Sequence, residues 1–210
     1  MTVSNLIEGL SNTGTRNTRG YGLLEPFLAK QRARIADQLI PNELRQGRIL
    51  DIGCGSYPYF LSHTYFKEKF AIDQLTKPQT VSKINWFCLD LNDEPQLPFE
   101  DQYFSAITML AVVEHLSPTC LVSLFKDVHR TLKPNGKLIV TTPAAWADGL
   151  LRIFAQIQLV SKEEIDEHVF VYTLPLLGWY FGRAGFELGK VEFGYFEFHL
   201  NLPRQKLYFF

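Results

Sequence analysis

The sequence predicts an α/β fold built on a mostly parallel, doubly wound sheet. Three observations carry that expectation: five short apolar segments read as strands, helix-compatible segments separate them, and the first strand ends on a carboxylate that runs straight into a glycine-spaced turn, Arg48-Ile-Leu-Asp-Ile-Gly-Cys-Gly-Ser56. Strand, crossover and strand in succession imply parallel pairing with both faces of the sheet covered. Open sheets of this kind bind ligands outside the carboxyl ends of their strands.

The elements follow in order. Residues 1–20 are polar and rich in Ser, Asn, Thr and Gly, the composition of a mobile arm. From Leu23 to Leu39 apolar residues recur at helical spacing until Pro41 ends the pattern. Strands are expected at 48–52, 69–72, 85–89, 106–110 and 137–141. The clearest crossover helix runs from Thr119 to Thr131 and is stopped by Pro134-Asn-Gly136. After Pro143 the pattern changes: Trp146 to Val160 reads as helix, Ser161 to His168 is charged, and Thr173 to Ala184 reads as helix ended by Gly185. Phe186 to Phe210 alternates enough aromatics to read as two strands meeting near Gly194. A chain of 210 residues fills one such unit and is short for two, so 1–210 is read as a single domain.

Composition narrows the function. With 21 basic against 22 acidic residues there is no global field to recruit nucleic acid, and the cluster Lys30-Gln-Arg-Ala-Arg34 reads as a solvated helix face. No apolar run reaches the roughly 18 residues of a membrane span. The cysteines at 54, 88 and 120 form no C-x-x-C, which suits reduced thiols in a cytoplasm.

The glycine turn carries most of the functional signal. Gly53 and Gly55 permit positive φ and close approach of a ligand to the backbone. A dinucleotide fingerprint asks for a third glycine at position 58, where the chain has Pro58, so a nicotinamide-dependent oxidoreductase is disfavoured.

Five segments extend that signal. Ile49-Leu-Asp-Ile-Gly-Cys-Gly55, Phe70-Ala-Ile-Asp73, Phe87-Cys-Leu-Asp-Leu91, Leu97 to Met109 with Val113-Glu-His-Leu116, and Leu132-Lys-Pro-Asn-Gly-Lys-Leu-Ile-Val140 occur in this order. Together they resemble the class I S-adenosylmethionine-dependent methyltransferases, in particular the type 11 small-molecule group. The resemblance implies a Rossmann-like, seven-stranded sheet whose last strand is antiparallel. It also implies S-adenosyl-L-methionine as cofactor, S-adenosyl-L-homocysteine as product and a small-molecule acceptor. A catalytically silent cofactor-binding protein of the same fold is the alternative.

The resemblance assigns roles residue by residue. Asp51 would meet the amino end of the cofactor, with a plain turn cap as the alternative, and Gly53, Cys54 and Gly55 would form the turn around it. Asp73, 22 residues beyond Asp51, lies near the roughly 20-residue spacing at which an acid reaches ribose hydroxyls, with Gln74 beside it. Asp90 and Leu91 would pair with and pack against adenine, although Asp93 and Glu94 crowd the same loop. Met109, Leu110 and Ala111 would border the methionine part and look equally like a core strand.

Glu114-His115 resembles a metal-binding Glu-x-x-Glu-His pattern, but Ala111 stands where its first Glu belongs, so no metal is expected. His115 then has a structural or substrate-side role. The acceptor side should lie in 144–184, where His168 is the candidate general base, since histidine titrates near neutral pH. Packing or capping within that segment is the plainer role for His168. Residues 19–22 of the arm are a candidate lid.

Overall fold

In a computed structural model the described residues are 25–75, 82–143, 170 and 172–194. Helix α1 (Glu25–Leu39) leads through a 3-10 turn, Asn42–Gln46, into β1 (Arg48–Ile52). The short α2 (Tyr59–His63), β2 (Glu68–Asp73), β3 (Asn85–Cys88) and β4 (Phe104–Leu110) follow, then α3 (Pro118–Thr131), β5 (Leu132–Thr141) and α4 (Leu174–Ala184). The sheet has the order β3-β2-β1-β4-β5, and each of its four pairings is parallel.

Side-chain alternation along each strand decides which layer it feeds. Ile49, Ala71, Ala106 and Ile139 point to one face, where they meet Ala33, Ala36 and Ile40 from α1 and its end. Leu50, Ile52, Phe70, Ile72, Ile107 and Met109 point to the other. There α3 buries Leu121, Leu124, Phe125 and Val128, an i, i+3, i+4, i+7 stripe, with α4 adding Leu177, Tyr180, Phe181 and Ala184. Helix α3 starts cleanly because the Ser117 side chain accepts the Thr119 N–H at 3.2 Å and Pro118 fills a position needing no donor. Gly185, at φ 102°, ends α4 in the left-handed conformation.

Two expectations are corrected. Pro134-Asn-Gly136 does not precede strand five: β5 begins at Leu132, opposite Phe104, and the pairing resumes at Lys137 opposite Ala106, so the tripeptide is looped out within the strand. Proline cannot donate to the ladder and Asn135 sits at φ 62°, which is why the segment bulges instead of pairing. The strand expected from Phe186 is also not formed over 186–194. Leu188–Lys190 makes a 3-10 turn, and Phe186 and Phe193 pack on the Phe181 ring instead. The sheet therefore has five strands among the described residues; of the two further strands expected, the first is not formed over 186–194 and the second, beyond Gly194, falls outside them. The arm at 1–20, the segment 144–169 with its helix and charged run, and the candidate lid lie outside as well. The helix expected over 173–184 is observed at Leu174–Ala184.

Candidate cofactor site

Strand order reverses between β1 and β4, and at such a point the loops diverge and leave a crevice at the carboxyl edge. Three strand ends, those of β1, β2 and β4, meet there.

Gly53 and Gly55 leave β1 at φ +69° and +72°. A Cβ on Gly53 would lie 2.5 Å from Val112 Cγ2, so packing against the loop after β4 forbids a side chain. A Cβ on Gly55 would meet nothing within 4 Å, so its bare backbone faces open space where a ligand can approach. The Gly53 N–H donates to the Ile72 carbonyl at 2.8 Å, which ties the turn to β2.

Asp73 holds the far side of that turn. Its Oδ2 accepts the Gly55 N–H at 2.8 Å and its Oδ1 the Leu75 N–H at 3.0 Å, while its carbonyl accepts from Leu89 N at 3.0 Å. The carboxylate thus sits at the centre of the β1, β2 and β3 ends, a pair of acceptor oxygens suited to a cis-diol. Gln74 is exposed, and its carbonyl accepts from the Cys88 thiol at 3.3 Å.

Asp51 is buried, and Thr108 Oγ1 donates to its Oδ1 at 2.6 Å. Burial pushes its carboxyl up to about 7; the Thr108 bond offsets part of that rise and the nearby Asp73 charge adds to it. Cys54 is held well above the ordinary thiol range by burial and then by the two carboxylates, so it is no nucleophile.

The expected adenine segment is clipped in place. The Asn92 N–H bonds Asp90 Oδ1 at 2.9 Å, and the Asn92 side chain reaches across to the His115 carbonyl at 3.3 Å and the Ser117 N–H at 2.9 Å. Leu91 belongs to the main core cluster. Met109 is fully buried, Leu110 is half-buried, and Ala111 leaves β4 at φ 58° with its N–H shared between Thr141 O at 2.9 Å and Thr141 Oγ1 at 3.1 Å.

His115 is half-buried in the 3-10 turn Val113–His115 beside a buried Glu114. The Phe170 N–H donates to the Glu114 carbonyl at 3.3 Å and the Tyr172 hydroxyl to the Leu116 carbonyl at 3.2 Å, so these two residues are tied to this turn and its end. His168 falls outside the described residues. Among the described residues no group of three His, Cys, Asp or Glu could hold a metal ion, and no helix is long and apolar enough to cross a membrane.

The structure therefore brings Asp51, Gly53, Gly55 and Asp73 into one constellation with the Asp90 loop next to it. Sequence reasoning passed over Thr108, Val112 and Asn92. Thr108 had a signal: a hydroxyl in a strand buried on both faces must find a partner. Two carboxylates at adjacent strand ends, with a glycine backbone bare between them, fit a ligand carrying a cationic amine and a ribose diol.

Residues 24–191 match the family model described as a methyltransferase domain. No curated protein matches the chain by sequence. The fold is similar to that of a S-adenosylmethionine-dependent methyltransferase from Archaeoglobus fulgidus, with TM-score 0.59 and 21% identity over 82% of this chain and 72% of that one. It is also similar to a complex between the Haloferax volcanii Trm112 methyltransferase activator and a methyltransferase partner, with TM-score 0.58 and 16% identity over 77% and 70% of the two chains. The [4+2]-cyclase SpnF shares the fold at TM-score 0.54 and 17% identity over 87% of this chain and 68% of its own, so the architecture hosts more than one chemistry. With the family model spanning most of its length, the chain belongs to the methyltransferase-domain family, whose cofactor is S-adenosylmethionine.

Proposed function

We infer that the chain transfers a methyl group from S-adenosylmethionine to a small molecule or biosynthetic intermediate in a reducing, cytoplasmic compartment. The observation that carries this reading is the clamp of Asp73 to Gly55, which sets a diol acceptor against a bare glycine backbone at the sheet's carboxyl edge. When bound, the cofactor supplies an electrophilic methyl group on a sulfonium with a good leaving group. The protein's task is then chiefly positioning. Asp73 would accept the ribose hydroxyls, with Gln74 beside it. Asp51 would accept the ammonium, and Gly53, Cys54 and Gly55 would let the backbone come close. Asp90 and Leu91 would receive adenine, and the backbone at Met109, Leu110 and Ala111 would border the methionine part.

Acceptor recognition is assigned to 144–184, where His168 would take a proton from the acceptor and His115 would face the substrate. The docking of Phe170 and Tyr172 on the turn that carries His115 supports that side for the acceptor.

Thermal melting with each ligand tests the reading. S-adenosylmethionine at about a hundred times its Kd adds roughly 2.7 kcal/mol, and NAD adds almost nothing. An acceptor screen read by release of S-adenosylhomocysteine then tests turnover. A His168→Ala variant should keep cofactor affinity while turnover drops at least about a hundred-fold. Wild-type turnover by that variant removes His168 from the chemistry.

A further inference from the structure

We propose that Thr108 is a positioning residue for cofactor binding: its hydroxyl fixes Oδ1 of Asp51 and so presents Oδ2 to the ammonium of the methionine part. This rests on Asp51 being the ammonium acceptor. The geometry comes from β4, the strand across the reversal point, where Thr108 lies directly opposite Asp51 in the parallel register and is fully buried. The threonine hydroxyl has one proton and two acceptors within reach, Asp51 Oδ1 at 2.6 Å and the Leu50 carbonyl at 3.4 Å. The shorter contact wins, because a charge-assisted bond is roughly twice as strong as a neutral one. Among the described residues no hydrogen bond to Asp51 Oδ2 is made, which leaves that oxygen for the ligand.

A partner for Asp51 has a second consequence. The hydroxyl favours the ionised carboxylate, the form that attracts an ammonium, against burial and against the Asp73 charge. When Asp51 is protonated the short contact reverses: the carboxyl O–H donates to Thr108 Oγ1, and the threonine proton turns to the Leu50 carbonyl. The groups acting on Asp51 are Asp73 from β2 and the Cys54 thiol from the turn, while β4 contributes only the uncharged Thr108. A residue with merely a packing role would leave the pH dependence of binding alone. Thr108 should set it.

The experiment is calorimetric binding of S-adenosylhomocysteine, which carries the same ammonium without the sulfonium charge, between pH 5 and pH 8. Wild type, Thr108→Val and Thr108→Ser are compared. In wild type, affinity should fall as pH drops below about 7, by up to tenfold per unit. Thr108→Val, close to isosteric but without the hydroxyl, should shift that midpoint up by about one unit and weaken binding roughly tenfold at pH 7. Thr108→Ser should restore both, and Thr108→Ala gives the same comparison if the valine variant does not fold. A valine or alanine variant with the wild-type midpoint and affinity overturns the role of Thr108. A flat wild-type profile overturns the assignment of Asp51 itself, which separates the two failures.

Discussion

Strands β1 and β4 flank the reversal point of the sheet, and both leave it through a left-handed residue. At β1 that residue is Gly53, at φ +69°; at β4 it is Ala111, at φ 58°. The difference lies in what surrounds them. Around Gly53 the space of a side chain is already taken by the methyls of Val112, two residues past the end of β4. Around Ala111 a methyl is accommodated, and the strained backbone is held by two acceptors from Thr141. One strand end is therefore dictated by packing as well as by φ, and the other is a strained backbone held by its neighbour. Such strain in a non-glycine residue clusters at functional sites.

The largest effect should come from Gly53→Val. A β-branched residue at positive φ costs about 1–3 kcal/mol, and the collision with Val112 adds about 1–3 more. Melting temperature should drop sharply and cofactor binding vanish. Gly55→Ala sharpens the contrast, because its Cβ meets nothing. That variant should fold with a loss of about 1 kcal/mol and still lose affinity, since the new methyl enters the space left for the ligand. Tight binding by Gly55→Ala breaks the idea that this backbone is the cradle.

Asp73→Ala comes next. Losing hydrogen bonds from a carboxylate to two hydroxyls is worth about 1.5–3 kcal/mol, or roughly ten- to a hundred-fold in affinity by calorimetry. Stability should also fall by about 1–3 kcal/mol, because the Gly55 and Leu75 N–H groups lose their acceptor. Unchanged affinity would place the ribose acid elsewhere.

How much of this was legible follows from the range of the signals. The strand and its carboxylate at 48–52, the glycine turn and Asp73 are local patterns, and all reappear where expected. The looped-out Pro134-Asn-Gly136 was misplaced because a turn signature reads the same between elements as inside a bulged strand. The fate of Phe186 and Phe193 was missed for a different reason. Alternating aromatics suit a strand, but here the rings are claimed by Phe181 of α4, a contact set by tertiary packing. Thr108 and Val112 touch Asp51 and Gly53, partners 57 and 59 residues away in sequence. No local pattern carries that.

The carboxylate of β1 gives the next prediction. Asp51 sits at about 7 in the folded chain, and an unfolded Asp at about 3.9. Between those values the folded state binds more protons than the unfolded one, so stability falls as pH rises from about 4 to about 7, then levels off. The size is on the order of a few kcal/mol. Urea midpoints of wild type and Asp51→Asn at pH 5 and pH 8 isolate it, because asparagine keeps an acceptor for Thr108 and does not ionise. The wild type should lose stability relative to the variant at pH 8. Parallel profiles would mean that Asp51 is ordinary and solvated.

The smallest effect is the mirror of the first. Ala111→Gly removes a Cβ from a left-handed residue, relieving about 1–2 kcal/mol of strain. Against that, glycine makes the unfolded chain more flexible, which costs about 0.4–1 kcal/mol. The net expectation is a gain of no more than about 1 kcal/mol, seen as a slightly higher urea midpoint with an unchanged slope. If strain at this position also serves the site, relaxing it should loosen the end of β4 and weaken binding of S-adenosylhomocysteine even as the fold gains stability. Opposite signs for stability and affinity would mark Ala111 as a strained residue with a function. A loss of both would show that the Thr141 contacts already make the alanine comfortable, and that the asymmetry between the two strand ends is one of packing alone.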